Sequence, residues 1–150
     1  DGIRNAIPTH VVIKGDTRSY APEVQAMLAK RMREISEGIC QLHGASCEFE
    51  YTHEFAPTVN WAHCTAIAID AATAVVGSER VNPEVQPMMI SEDFGAFLQE
   101  VPGNFVFIGS GEQAGEGGTP LHNARYDFND QVLETGAQYF AQVAVAALAS

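Results

Sequence analysis

The sequence predicts a layered α/β protein in two parts, and three observations carry that reading. Apolar residues recur at spacings of three and four from Val24 to Leu42, then alternate with polar ones at Cys47, Phe49 and Tyr51. That change of period marks a helix followed by a strand with one wet face. The composition shifts at Ala56-Pro57-Thr58-Val59-Asn60, a crossover into alanine-rich and apolar segments. Farther on, the apolar run Phe105-Val106-Phe107-Ile108 empties into a glycine-rich loop. Strand, loop, then helix is how α/β proteins present a ligand or an acid/base group at the carboxyl edge of a sheet. The first part covers residues 1–56 and the second 57–150.

Each element has its own signal. Val11 to Arg18 alternates and reads as a strand. Pro22 stands where a first helical turn tolerates proline, and Val24, Leu28, Arg31, Ile35, Ile39 and Leu42 share one face of the helix that follows. Gly44 can terminate it, and residues 47–52 complete a strand–helix–strand piece. Residues 62–76 are apolar on most sides and predict a buried helix. Pro83 and Pro87 bracket an extended segment ending at Met88-Met89-Ile90. Ser91 is suited to cap the next helix, with Glu92 and Asp93 in its first turn, where the helix dipole favours acids. The same three residues also admit a reading as a catalytic carboxylate pair. Phe94, Phe97, Leu98 and Val101 form the inner stripe of that helix, and Pro102-Gly103 turns into the strand at 105–108. The last helix begins near Asn129-Asp130 and is expected to bury Leu133, Phe140, Val143, Ala144 and Leu148. Residues 57–150 therefore read as αβαβα.

Composition excludes several classes. The 150 residues carry a formal net charge of −11 and only eight Lys and Arg, in no stripe, so a nucleic-acid backbone or an anionic membrane surface would repel them. No apolar run approaches the roughly 20 residues that a spanning helix needs. The absence of an initiating Met and of a signal peptide leads us to expect the interior of something longer. Cys40, Cys47 and Cys64 show no CxxC spacing. Their odd number fits a reducing compartment, with the cytoplasm as the default, and each reads as a small hydrophobe.

His122 is the foremost candidate for chemistry, because it follows the glycine loop and has Tyr126, Asp127 and Asp130 close in sequence as supporting partners. On the residues alone it reads either as a ligand or catalytic group or as a loop residue. A phosphate cradle is a poor reading of the loop, which lacks GxxxxGK[ST] and carries Glu112 and Glu116. Arg18 ends a strand, and its planar fork is the natural receptor for a substrate carboxylate. In isolation, Arg18 and Asn5 read equally well as solvated polar residues. His10, His43, His53 and His63 show no ligand spacing and are expected at the surface, and no GxSxG nucleophile motif is present.

An ordered series of motifs adds a resemblance. Asn5-Ala6-Ile7-Pro8, Gly15-Asp16-Thr17-Arg18, Pro57-Thr58-Val59-Asn60, Met88-Met89-Ile90-Ser91-Glu92-Asp93-Phe94, Pro102-Gly103 and Pro120-Leu121-His122-Asn123 follow one another along nearly the whole chain. The series resembles the carboxyl-terminal part of the M20 metallopeptidase family, in the amidohydrolase branch that includes hippurate hydrolase, N-acyl-amino-acid amidohydrolases and auxin-conjugate hydrolases. The resemblance implies that residues 1–56 are the second half of a ferredoxin-like α/β lid that mediates homodimerisation. Residues 57–150 would be the last part of a catalytic domain holding two divalent metal ions, zinc or manganese. It implies His122 as the final metal ligand. Asn5 and Arg18 would meet the carboxylate or amide of a small acyl-amino-acid substrate, and Asn60, in a motif near the hinge, would bind substrate with them.

The family's other ligands (a Cys-x-His pair, a Glu and a second His), its general base and its carbonyl-polarising lid histidine have no counterpart among these residues. No complete catalytic set is therefore expected within the chain. Alone, it should be inactive, hold no metal tightly and self-associate through uncovered apolar surface. The competing readings are a non-catalytic binding or assembly module and a plain structural α/β domain.

Overall fold

The computed structural model describes residues 5–113 and 117–149. The chain divides into two compact units, one of Asp1–Glu54 with Met89–Ser91 and one of Phe55–Met88 with Glu92–Ser150.

The first unit is built on helix α1, Pro22–Leu42. Proline opens it where a missing N–H costs nothing, and the Ala21 carbonyl accepts from the N–H groups of Val24 and Gln25, both at 3.1 Å. At the other end Gly44 takes φ +68, and the chain reverses so that the Ala45 N–H donates to the Cys40 carbonyl at 2.8 Å. Ion pairs such as Lys30–Glu34 (3.9 Å) and Arg33–Glu37 (3.4 Å) lie in water and contribute little. After the reversal, Phe49 lies under the Arg33 guanidinium, 4.8 Å from its ring centroid. Two residues on, the Tyr51 hydroxyl hydrogen-bonds with that of Thr17, tying segment 11–18 to segment 47–52. The apolar stripe of α1 stays open, with Leu42 80% exposed.

The second unit contains α2 (Ala62–Val76), a 3-10 turn (Ser78–Arg80), α3 (Phe94–Glu100) and α4 (Val132–Ala149). Its core is small. Ala68 and Ala71 of α2 pack against Tyr139 of α4, with Ala72 and Val143 at the margin. Alanines on one helix leave room for an aromatic ring from the other, and burial pushes the Tyr139 phenol up from its ordinary value. Helix α3 is held against residues 56–57 by the absence of a side chain: a Cβ on Gly95 would stand 2.6 Å from the Ala56 carbonyl oxygen. Trp61 adds two bonds, from its indole N–H to the Leu98 carbonyl (2.9 Å) and from its backbone N–H to that of Gly103 (3.0 Å).

Several expectations change in the structure. Segments 11–18, 47–52, 88–90 and 105–108 lie outside the helices, but among the described residues none is paired into a β-ladder. Alternation in sequence fixes which side chains share a face; a ladder also requires a neighbouring backbone. Helix α3 starts at Phe94 rather than after Ser91, so Asp93 takes the capping position without a side-chain cap bond and neither acid lies in the first turn. Glu92, ahead of the helix, accepts from the N–H groups of Asp93 (3.1 Å) and Phe94 (3.4 Å). In its stripe Leu98 is buried, while Phe97 and Val101 are exposed. Helix α4 buries Tyr139 instead of Phe140 (71% exposed) or Leu148 (89% exposed), and Leu133 and Ala144 are also exposed. A helix apolar on most sides does not announce its inner face; the position of α2 decides it. No helix among the described residues is long and apolar enough to cross a membrane.

Candidate functional site

His122 lies in the second unit, between the glycine-rich loop and α4. The loop closes on itself. The Ser110 hydroxyl donates to the Gly117 carbonyl (3.0 Å), and the Gly118 N–H donates to that of Gln113 (2.8 Å). Gly117 has φ +82, and a Cβ there would sit 1.9 Å from the Ser110 oxygen, so this approach demands glycine. Asn129 ties the loop to the helix. Its Nδ2 donates to the Ser110 carbonyl (2.8 Å), while its Oδ1 accepts from the Gln131 N–H (3.1 Å) ahead of α4. Glu112 is exposed, and Glu116 lies outside the described residues.

Between these anchors the backbone of His122 is left-handed, with φ +64, the only non-glycine residue so placed among those described. Histidine tolerates that region better than most residues. A turn holds it from the carboxyl side: Asn123 Oδ1 accepts from the Arg125 N–H and the Asn123 carbonyl from the Tyr126 N–H, each at 2.9 Å. The imidazole is exposed, and among the described residues it makes no hydrogen bond to Tyr126, Asp127 or Asp130, the expected supporting partners. Asn123 and Asn129 instead shape the loop. Their signal was present as Asn ahead of a turn and of a helix. No three His, Cys, Asp or Glu side chains among the described residues come together as a metal-holding group. The donor set fits a single ligand position, one exposed imidazole, and not a two-metal centre.

Asn5 and Arg18 belong to the first unit, and both are exposed. Thr17 is half-buried against Tyr51, so Arg18, next along the alternation, faces water, with no ion pair among the described residues. No hydrogen bond joins Asn5 to Arg18 there. His10, His43, His53 and His63 are exposed.

Asn60, the third residue expected to bind substrate, has its carboxamide engaged with the backbone of a remote segment. Its Nδ2 donates to the Phe105 carbonyl (2.9 Å), and its Oδ1 accepts from the Phe105 N–H (2.7 Å). The carboxamide thus takes both backbone groups of one residue at the head of the segment that leads to the His122 loop. Asn60→Ala is expected to lower stability by about 1–2 kcal/mol, two hydrogen bonds partly replaced by water. Asn60→Asp, which keeps the acceptor and loses the donor, should fall between. Thermal melts check the order; equal melting of all three proteins would remove the clamp from any structural account.

Comparison with known proteins gives these residues a setting. Residues 4–146 match the model of the family described as Peptidase family M20/M25/M40. A Bacillus subtilis protein that carries an amidohydrolase name is 31% identical over 141 residues, covering 94% of this chain and 35% of its own length. Thermostable carboxypeptidase 1 of Saccharolobus solfataricus is 31% identical over 142 residues, with the same two coverages. N-acetylcysteine deacetylase of Bacillus subtilis is 29% identical over 144 residues, or 96% of this chain and 36% of its own. The chain therefore spans about a third of the length of the curated relatives it matches. No solved structure matches the chain. With nearly its whole length under one family model, the chain belongs to peptidase family M20/M25/M40.

Proposed function

We propose that these residues form part of a metal-dependent amidohydrolase that cleaves the amide between an acyl group and an amino acid, in the manner of hippurate hydrolysis. The family match over residues 4–146 carries this reading, and the names of relatives, an amidohydrolase, a carboxypeptidase and a deacetylase, share the cleavage of a C–N acyl bond. His122 would give an imidazole lone pair to one of two divalent ions, zinc or manganese, from a loop whose turn at Asn123 fixes the backbone. Bound there, the metals would supply an activated water and polarise the amide carbonyl. Arg18 would grip the substrate carboxylate with its fork, and Asn5 would hydrogen-bond nearby. Asn60 would act on the substrate only indirectly, through the backbone it holds. The remaining ligands and the base would come from outside these 150 residues. In the complete protein, residues 11–18, 47–52 and 105–108 would join sheets as strands of a lid and of a catalytic α/β layer, with the lid pairing two copies in the cytoplasm.

The test is hydrolysis of N-acyl-amino acids such as hippurate by the full-length protein, before and after dialysis against a chelator. Activity should vanish with the metal and return with zinc or manganese. Turnover indifferent to chelation would end the metal reading. A metal-loaded protein that cleaves no acyl-amino acid would end the substrate class and leave an assembly module.

A further inference from the structure

The first unit holds a feature that hydrolysis does not use. Cys40 lies in the last turn of α1 and Cys47 in the segment that returns after it. Three contacts fold that return onto the helix. The His43 N–H donates to the Ile39 carbonyl (3.2 Å), the Ala45 N–H donates to that of Cys40 itself (2.8 Å), and Phe49 lies beneath Arg33 (4.8 Å). Arg33 and Cys40 are seven residues apart, two helical turns, and so share a face. Cys47 and Phe49 are two apart in extended chain and also share one. With Phe49 over Arg33, Cys47 falls beside Cys40, close enough for Cys40 to perturb the Cys47 thiol. Both are half-buried and therefore within reach of a small oxidant.

We infer that Cys40 and Cys47 are a dithiol that peroxide converts to an intramolecular disulfide, fastening the end of α1 to the segment that carries Phe49 and Tyr51. The Cys40 thiolate attacks one peroxide oxygen, the O–O bond breaks, and hydroxide leaves, giving a sulfenic acid. The Cys47 sulfur then attacks the Cys40 sulfur, the S–O bond breaks, and the expelled hydroxide takes up a proton. The two thiols lose two electrons in all, and one peroxide becomes two waters. Burial, and then neighbouring Cys40 and Glu37, push the Cys47 thiol up, which disfavours its thiolate and assigns it the second role. A bridge of this kind in a reducing compartment is transient and responds to oxidant.

Cys64 supplies an internal comparison: it is also half-buried, but its neighbour is the His63 ring, 3.3 Å away. The full-length protein is treated with hydrogen peroxide, alkylated and digested with a protease that cuts after glutamate. Cleavage after Glu37 and Glu48 releases peptide 38–48, which carries Cys40 and Cys47 without Cys64. It should appear lighter by two hydrogens and unalkylated while Cys64 still alkylates fully, and a thiol reductant should reverse the change. Cys40→Ser and Cys47→Ser should each abolish that product, and Cys64→Ser should leave its rate unchanged. Serine is close in size to cysteine, and circular dichroism verifies that the variants fold. Three results would overturn the pairing: a bridge between two copies of the chain, sulfinic acid at either cysteine without a bridge, or oxidation of Cys64 at the same rate.

Discussion

If the proposed two-metal centre holds, replacing His122 by alanine in the full-length protein should abolish measurable turnover and empty one of the two proposed metal positions. Loss of a residue that merely supports a metal ligand typically costs about 10–100-fold in affinity or activity, and loss of the ligand itself should exceed that. The left-handed backbone at φ +64 complicates a single substitution, because alanine resists that conformation more than histidine and the loop could move with the ligand. Asparagine separates the two effects. It tolerates the left-handed region but offers no imidazole, so His122→Asn should melt like the native protein and still lose metal and turnover. Metal content by plasma mass spectrometry, beside kcat, reads both. If either variant keeps full metal and full activity, His122 is not a ligand.

Arg18→Ala should leave the metals in place and lower kcat/KM on acyl-amino acids by at least about tenfold. Truncating a charged partner of a desolvated pair costs about 2–5 kcal/mol, and about 1.4 kcal/mol is already tenfold. Arg18 is exposed in this structure, which sets the expectation at the lower end of that range. Arg18→Lys should recover part of the loss, since an ammonium keeps the charge without the planar fork that meets both carboxylate oxygens. An unchanged kcat/KM in Arg18→Ala would mean that the carboxylate is bound elsewhere, and the preference for acyl-amino acids would lose its physical basis.

The helices were the readable part of this fold, because their boundaries are local chemistry. Pro22 and Gly44 bracket α1, as the residues themselves suggest, and α2 covers the expected residues 62–76. The start of α3 was misplaced by two residues, because Ser91 is only one of several polar residues ahead of the helix and the folded backbone makes Asp93 the capping position. The buried face of α4 was illegible for a related reason: Tyr139 is inside because the alanines of α2 make room for it. Strand pairing depends on partners remote in sequence, and alternation is silent about them. Among the site residues, His122 stood out through its motif and its loop, but nothing local foretold its left-handed backbone. The Asn60 contact with Phe105 spans 45 positions and involves an ordinary polar residue, so no pattern in the sequence points to it.

That contact also gives the segment at 105–108 a handedness of growth. In extended backbone the N–H and C=O of one residue leave by the same edge, which is why a single carboxamide can engage both at Phe105. An edge so occupied is denied to any incoming strand, much as proline or a charged side chain denies it elsewhere. At Phe105, therefore, a sheet can extend in one direction only, away from Asn60. The asparagine is a border: it marks one lateral limit at that residue, and it guards against the edge-to-edge pairing that an apolar run such as Phe105-Val106-Phe107-Ile108 would otherwise invite.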